Sequence, residues 1–221
     1  MALPNALNNY YFPDAYDSLV DAFTGTIKYI SANTGSNSNS GNSVSTAYLT
    51  IDYALAQNTS TTATMFVILE GTYTLTPTSI NGCSTGLVDG GNHREFVCAP
   101  GRVIIQHTAS GTDRDSQILH FTNTNSKIYG AVIKRNNNAR TTNYTVAYFV
   151  GGATGATKGN FYNCVFSETN ANGAWSYQYD NYGYNNLALR NCTFYNLAAP
   201  IGNYSNAGTC LTIDSVFNTT V

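Results

Sequence analysis

Apolar positions along this 221-residue chain fall in short runs rather than in long helical stripes. "FVIL" at 66–69, "FVCA" at 96–99, "ILHF" at 118–121 and "AYFV" at 147–150 are such runs, each followed by a weaker second strand. Behind them a motif repeats: Asn-Cys-x-Phe stands at Asn163–Phe166 and again at Asn191–Phe194, 28 residues apart (191 minus 163). Aligning Phe166 with Phe194 also places Phe161 with Leu189 and Cys164 with Cys192. The columns extend downstream to Thr212, Asp214, Ser215 and Phe217, and upstream to Ile128, Gly130, Ala131 and Ile133. Each column keeps its character: apolar, then Asn-like or small, then small and apolar, then large and apolar.

An interval of this size is too long for a heptad or a hairpin and fits a stacked repeat. Coils of about two dozen residues, with strands that alternate inward and outward and stack like on like, predict a parallel β-helix. In that reading Asn tolerates unusual backbone angles at a bend and bonds to its counterpart in the next coil. Cys164, Phe166, Cys192, Phe194 and Phe217 then point inward as a core ladder, with cysteine acting as a small buried hydrophobe. The irregular spacing assigns insertions to loops at 108–116, 136–145 and 170–186, on the face where partners meet.

Composition agrees with an all-β class. Only 10% of residues are charged and the net charge is −2, so no basic footprint for nucleic acid or an anionic membrane exists. Tyr and β-branched residues favour strands, and Asn and Gly favour turns. The N-terminus has no basic start and no apolar run of signal-peptide length, which predicts synthesis in a cytosol. No segment reaches the roughly 20 apolar residues of a membrane helix. The five cysteines are odd in number, widely spaced and without a C-x-x-C pair, which argues against both a zinc site and a disulfide framework. No cofactor or metal motif occurs.

The first third, "YISANTGSNSNSGNSVSTAYLTIDYALAQ" followed by "MFVILEGTYTL", resembles the opening of right-handed parallel β-helix proteins of the pectate-lyase-like superfamily. Tyr29, Ser31, Thr50, Ile51, Ala54, Leu55, Gly71, Thr72 and Tyr73 carry the likeness; Glu70 stands where that family often has Pro. The motif covers about residues 27–75, and the remainder follows only by coil pattern. The resemblance implies a right-handed β-helix over 27–221 with a short N-terminal capping helix. Thr50 is the expected N-cap, and Ile51, Ala54 and Leu55 form an apolar stripe. It implies little about function, since the superfamily includes lyases, hydrolases, phage tail spikes and capsid components.

Residues 1–26 lie outside the pattern. Pro13 starts an expected helix over Asp14 to Phe23, and Tyr10, Tyr11, Phe12, Leu19 and Phe23 need burial. Two outcomes stay open: this arm packs on the β-helix, or it attaches to a neighbouring subunit.

Candidate chemistry is sparse. The densest charged group is Asp113-Arg114-Asp115 with His120 behind it; Asp89, His93, Arg94 and Glu95 form a second. Neither supplies the stacked acid pair that glycan hydrolysis uses, and a solvated loop is the plainer reading. Glu168 and Arg135 share a column, as an ion pair of negligible worth. Trp175, Tyr177, Tyr179, Tyr182 and Tyr184 form an aromatic cluster that either stacks on sugar rings or covers the side of the β-helix.

Taken together, these features lead to a structural virion protein of a tailed phage, either a capsid decoration protein or the particle-proximal part of a tail fibre or spike. It would be made in the host cytoplasm and would partner other virion proteins and copies of itself, with a trimer preferred. A cell-surface glycan is a further candidate ligand. The alternative is a polysaccharide lyase or hydrolase acting on bacterial surface glycans. The final stretch "LTIDSVFNTTV" carries no blocking helix, so the last coil is expected to be covered in the assembled state.

Overall fold

The computed structural model describes residues 14–59, 62–75, 78–80, 83–89, 93–108, 115–121, 126–136, 147–152, 159–168, 176–179, 186–195, 209–213 and 216–218. Strands dominate, and nearly all of them pair in parallel. With strands numbered in chain order, the first sheet contains β1 (Thr26–Ile30), β2 (Thr64–Ile68), β6 (Arg94–Cys98), β9 (Ser126–Tyr129), β12 (Gly159–Tyr162), β15 (Asn186–Arg190) and β17 (Thr209–Ile213), side by side in that order. The second sheet runs β3 (Gly71–Thr74), β7 (Val103–Thr108), β10 (Val132–Asn136), β13 (Val165–Glu168), β16 (Thr193–Tyr195) and β18 (Val216–Asn218). The third runs β4 (Thr78–Ile80), β5 (Cys83–Asp89), β8 (Asp115–Phe121), β11 (Ala147–Gly152) and β14 (Ser176–Tyr179); only β4 with β5 is antiparallel. From β2 to β14 the chain visits first, second and third sheet in the same order each time.

Register makes the packing repetitive. Phe66, Phe96, Ile128, Phe161, Leu189 and Thr212 are successive partners across the first sheet. Tyr73, Ile105, Ile133, Phe166, Phe194 and Phe217 are successive partners across the second. Phe66, Phe96, Ile128 and Phe161 of the first row and Tyr73, Ile105, Ile133 and Phe166 of the second meet in one core with Cys98, Ala131, Cys164 and Cys192. Phe66 stacks on Phe96 with centroids 5.4 Å apart, and Phe161 meets Phe166 edge-on at 5.4 Å. The side chains of Phe194 and Phe217 lie outside the described residues.

From β9 to β10, β12 to β13 and β15 to β16 the chain turns in two residues. Gly130, Asn163 and Asn191 have φ of 75, 54 and 50 degrees, the left-handed region that only Gly and Asn enter cheaply. Each is followed by a small inward residue, Ala131, Cys164 or Cys192, all at most 1% exposed. The Asn191 amide donates to the Asn163 side-chain oxygen at 2.7 Å, linking one turn to the next.

Two expectations need correction. "FVIL" and "FVCA" do not share a column with "ILHF" and "AYFV": the former build the first sheet, the latter the third. The stretch 170–186 is not wholly an insertion, because Ser176–Tyr179 forms the edge strand of the third sheet.

Helix α1 (Asp14–Ala22) and α2 (Ile51–Gln57) are the two α-helices among the described residues. The Thr50 side chain accepts from the Tyr53 amide and caps α2, whose Ile51 and Ala54 are buried with Ile30, Phe66 and Ile68. Arg94, only 1% exposed, donates to the Asn58 carbonyl at the C-terminal end of α2 and lies 5.6 Å from the Phe66 ring centroid. The Tyr73 hydroxyl accepts from the Ala32 amide at 3.1 Å and sits 2.8 Å from the Leu69 carbonyl. This is the physical content of the Gly-Thr-Tyr motif: one phenol ties the first two passes of chain together.

Candidate interaction surface

A sheet face turned away from its core is ordinarily polar. The outer face of the first sheet is not. Tyr29, Val67, Val97, Tyr129, Tyr162 and Arg190 are successive register partners on it. Tyr29, Val67, Val97 and Tyr129 form a second buried cluster with Met65, Leu69, Ala47 and Val20 of α1, against which Leu19, Phe23 and Tyr162 pack. Val20 of α1 is 3% exposed, so the helical part of the N-terminal segment rests on the protein's own sheet. Tyr10, Tyr11 and Phe12 lie outside the described residues.

Beyond the helix the same face continues as a stack. Tyr129 and Tyr162 lie nearly parallel, at 13 degrees, with centroids 4.7 Å apart. The exposed Arg190 places its guanidinium 5.6 Å from the Tyr162 centroid. Tyr162 therefore sits between Tyr129 and Arg190 along the strand order, with its ring faces engaged by protein. A sugar ring stacks on an open aromatic face, so this stack presents ring edges and hydroxyls instead. Beside it Lys127 pairs with Glu95 at 2.5 Å, joining adjacent passes. Burial raises the Tyr29 phenol above its ordinary range, which keeps it neutral.

The residues singled out for chemistry do not converge. Asp115 opens β8 and His120 stands five residues along it, a separation of about 16 Å along the strand. Asp113 and His107's side chain lie outside the described residues, as do Trp175, Tyr182 and Tyr184. In the second group, strand alternation sends Arg94 into the core and Glu95 out to Lys127, while His93 is exposed with φ of 52 degrees. Tyr177 and Tyr179 lie on β14, and Tyr177 is in register with Tyr148, a neighbour the spacing alone did not reveal. Arg135 is in register with Glu168 on one side and with His107 on the other.

Cys98, Cys164 and Cys192 are free and buried. Burial pushes the Cys98 thiol far up, and it does the same to Cys164, with Cys192 beside it adding to the effect. Hydrogen bonding with Cys164 draws the Cys192 thiol down, against the opposing effect of its burial. At no more than 1% exposure, none of the three is placed to attack a solute. No group of three or more metal-ligating side chains occurs among the described residues, and no helix there is long and apolar enough to cross a membrane.

Tyr129, Tyr162 and Arg190 were absent from the sequence-based candidates. The signal was present: each directly precedes the bend residue of its turn, Gly130, Asn163 or Asn191. Against known proteins, no family model, no curated protein and no solved structure matches this chain.

Proposed function

We propose that the three sheets close into a right-handed parallel β-helix, and that it serves as a structural protein of a tailed-phage virion. Its place would be as a decoration protein or as the particle-proximal part of a fibre or spike. Parallel crossovers within one sheet are right-handed in about 98% of cases, which supports the hand. The observation that carries the functional reading is the outer face of the first sheet. It is aromatic and apolar where a sheet face turned to solvent would be polar; the chain itself buries Tyr29, Met65, Val67, Val97 and Tyr129, and the stack reaches the surface at Tyr162 and Arg190. Such a face supports action by packing and adhesion, with other virion proteins and further copies of this chain as partners. The resemblance to spike and capsid proteins supplies the virion context.

Mass spectrometry of purified particles tests the assignment: the chain should be present at a stoichiometry that matches a symmetric site. Its absence from particles, while abundant in the infected cell, would overturn the reading.

One placement favours the alternative of a glycan-degrading enzyme. His107, Arg135 and Glu168 occupy one register row at the end of the second sheet, next to the segments leading into the third. On that reading Arg135→Ala abolishes depolymerisation of a surface glycan, whereas the structural reading predicts no depolymerisation by either form.

A further inference from the structure

The second sheet starts one strand later than the first. In the first sheet β1 precedes β2, but nothing among the described residues precedes β3 in the second. After β1 the chain begins to enter that position, since Ala32 donates to Tyr73 and the Asn33 amide donates to the Glu70 carbonyl. It then turns away, with the Gly35 amide bonded back to the Ser31 carbonyl at 3.0 Å. Among the described residues, no strand lies beside the remaining length of β3.

The hydrogen bonds identify which groups face that side. Gly71 and Leu75 donate to the Arg102 and Gln106 carbonyls, so the odd-numbered residues face β7. In a parallel ladder the alternate residues face the other way, which turns the amides and carbonyls of Thr72 and Thr74 toward the open edge. A cleft of about 170 Å³ lies along that edge, lined by Thr72, Thr74, Leu75, Ile51, Leu49 and Asp52 among others, with no residue of β7. Leu49, on its rim, is the one large apolar side chain exposed among the described residues. The lining carries one carboxylate, Asp52, and no cation.

We infer that this edge is a strand-addition site for an extended peptide segment of a partner protein, one apolar residue of which enters the cleft beside a basic neighbour. Unpaired strand edges recruit extended segments through main-chain hydrogen bonds, and adjacent pockets select alternate side chains. A cavity of roughly 150 Å³ accepts a benzene-sized group, so this cleft takes one Leu- or Phe-sized side chain; it is below the roughly 300 Å³ at which small-molecule sites begin. The carboxylate favours Lys or Arg next to that residue. A whole second copy cannot stack end to end here, because α2 lies over the core beside the cleft.

The test uses the full chain and a fluorescein-labelled hexapeptide, Lys-Thr-Thr-Leu-Thr-Lys, read by fluorescence anisotropy together with amide hydrogen exchange. The Thr72 and Thr74 amides should exchange rapidly in the free chain and become protected on peptide binding. The variant Thr74→Pro removes one edge-facing amide, where proline is tolerated, and should weaken binding at least tenfold with the melting temperature nearly unchanged. The same peptide N-methylated at alternate amides should not bind. Equal binding of the N-methylated peptide, or no binding at millimolar concentration, would overturn the inference. So would protection of both amides in the free chain: if independent of concentration, the chain's own residues occupy the edge; if dependent on it, a second copy does.

Discussion

Replacing Asn191 by Ala and by Gly separates two contributions at the bend between the first and second sheets. Asn191 sits at φ of 50 degrees and donates to Asn163 at 2.7 Å. Ala loses the side-chain bond, worth about 0.5–1 kcal/mol at an exposed position, and also pays about 1–2 kcal/mol for a left-handed L-residue. The sum is about 2 kcal/mol. Gly loses the same bond and adds unfolded-state entropy of about 0.5–1 kcal/mol, but carries no left-handed strain, giving about 1.5 kcal/mol. Urea denaturation midpoints should therefore rank wild type, then Asn191→Gly, then Asn191→Ala. In a double-mutant cycle with Asn163→Ala, the coupling should equal the bond alone, about 0.5–1 kcal/mol. If Ala proves no worse than Gly and the coupling is nil, neither the left-handed bend nor the Asn ladder exists as described.

Further outcomes follow from burial. Cys98, Cys164 and Cys192 should resist a polar thiol reagent in the native protein and react promptly in urea; rapid native modification of any of them contradicts their place in the core. Phe161→Ala, at a site with no exposure and an edge-on contact to Phe166, should cost about 3–5 kcal/mol, and an unchanged melting temperature would count against the packing. Tyr73 and Cys98 are held neutral above their ordinary values of 10.0 and 9.0 by burial. The unfolded chain releases those protons first, so stability should be whole below pH 9 and fall above it, by about 1.4 kcal/mol per pH unit for each group. Thermal melts at pH 8, 10 and 11 that coincide would refute this. Val20→Asp should lift α1 from the outer face and create dye-binding apolar surface around Val67 and Val97; no change in dye binding would show that the helix is not the cover.

How far the sequence could be read depended on how many faces of a strand are buried. The Asn-Cys-x-Phe repeat was legible because the bends at 163–164 and 191–192 each combine a left-handed residue with a small inward one, leaving little freedom of choice. Strands β2 and β6 were harder. With both faces covered, by the core inside and by α1 and its neighbours outside, they read as unbroken apolar runs with no period of two. That is why "FVIL" and "FVCA" were grouped with the runs of the third sheet. Strand β14 went unseen since "SYQY" is polar enough to pass for loop. The outer stack of Tyr129, Tyr162 and Arg190 is hard to see in sequence because two tyrosines and an arginine at outward positions also fit a solvent-facing strand. Asp115 and His120 looked close in sequence, and only strand geometry separates them.

The central claim is that each pass of chain lies directly beside the last, whatever the number of residues between them. Thr74, Gln106, Lys134, Ser167, Tyr195 and Asn218 are successive register partners across the second sheet. Parallel neighbours are about 4.8 Å apart, so pairs from Thr74 should lie at about 14, 19 and 24 Å for Ser167, Tyr195 and Asn218. Pulsed electron-electron spin resonance on labels introduced at these positions, with Cys83 and Cys210 replaced by Ser, measures those distances directly. The distance should grow linearly with the number of passes. Distances that follow sequence separation, or that fail to increase from Ser167 to Asn218, would contradict it.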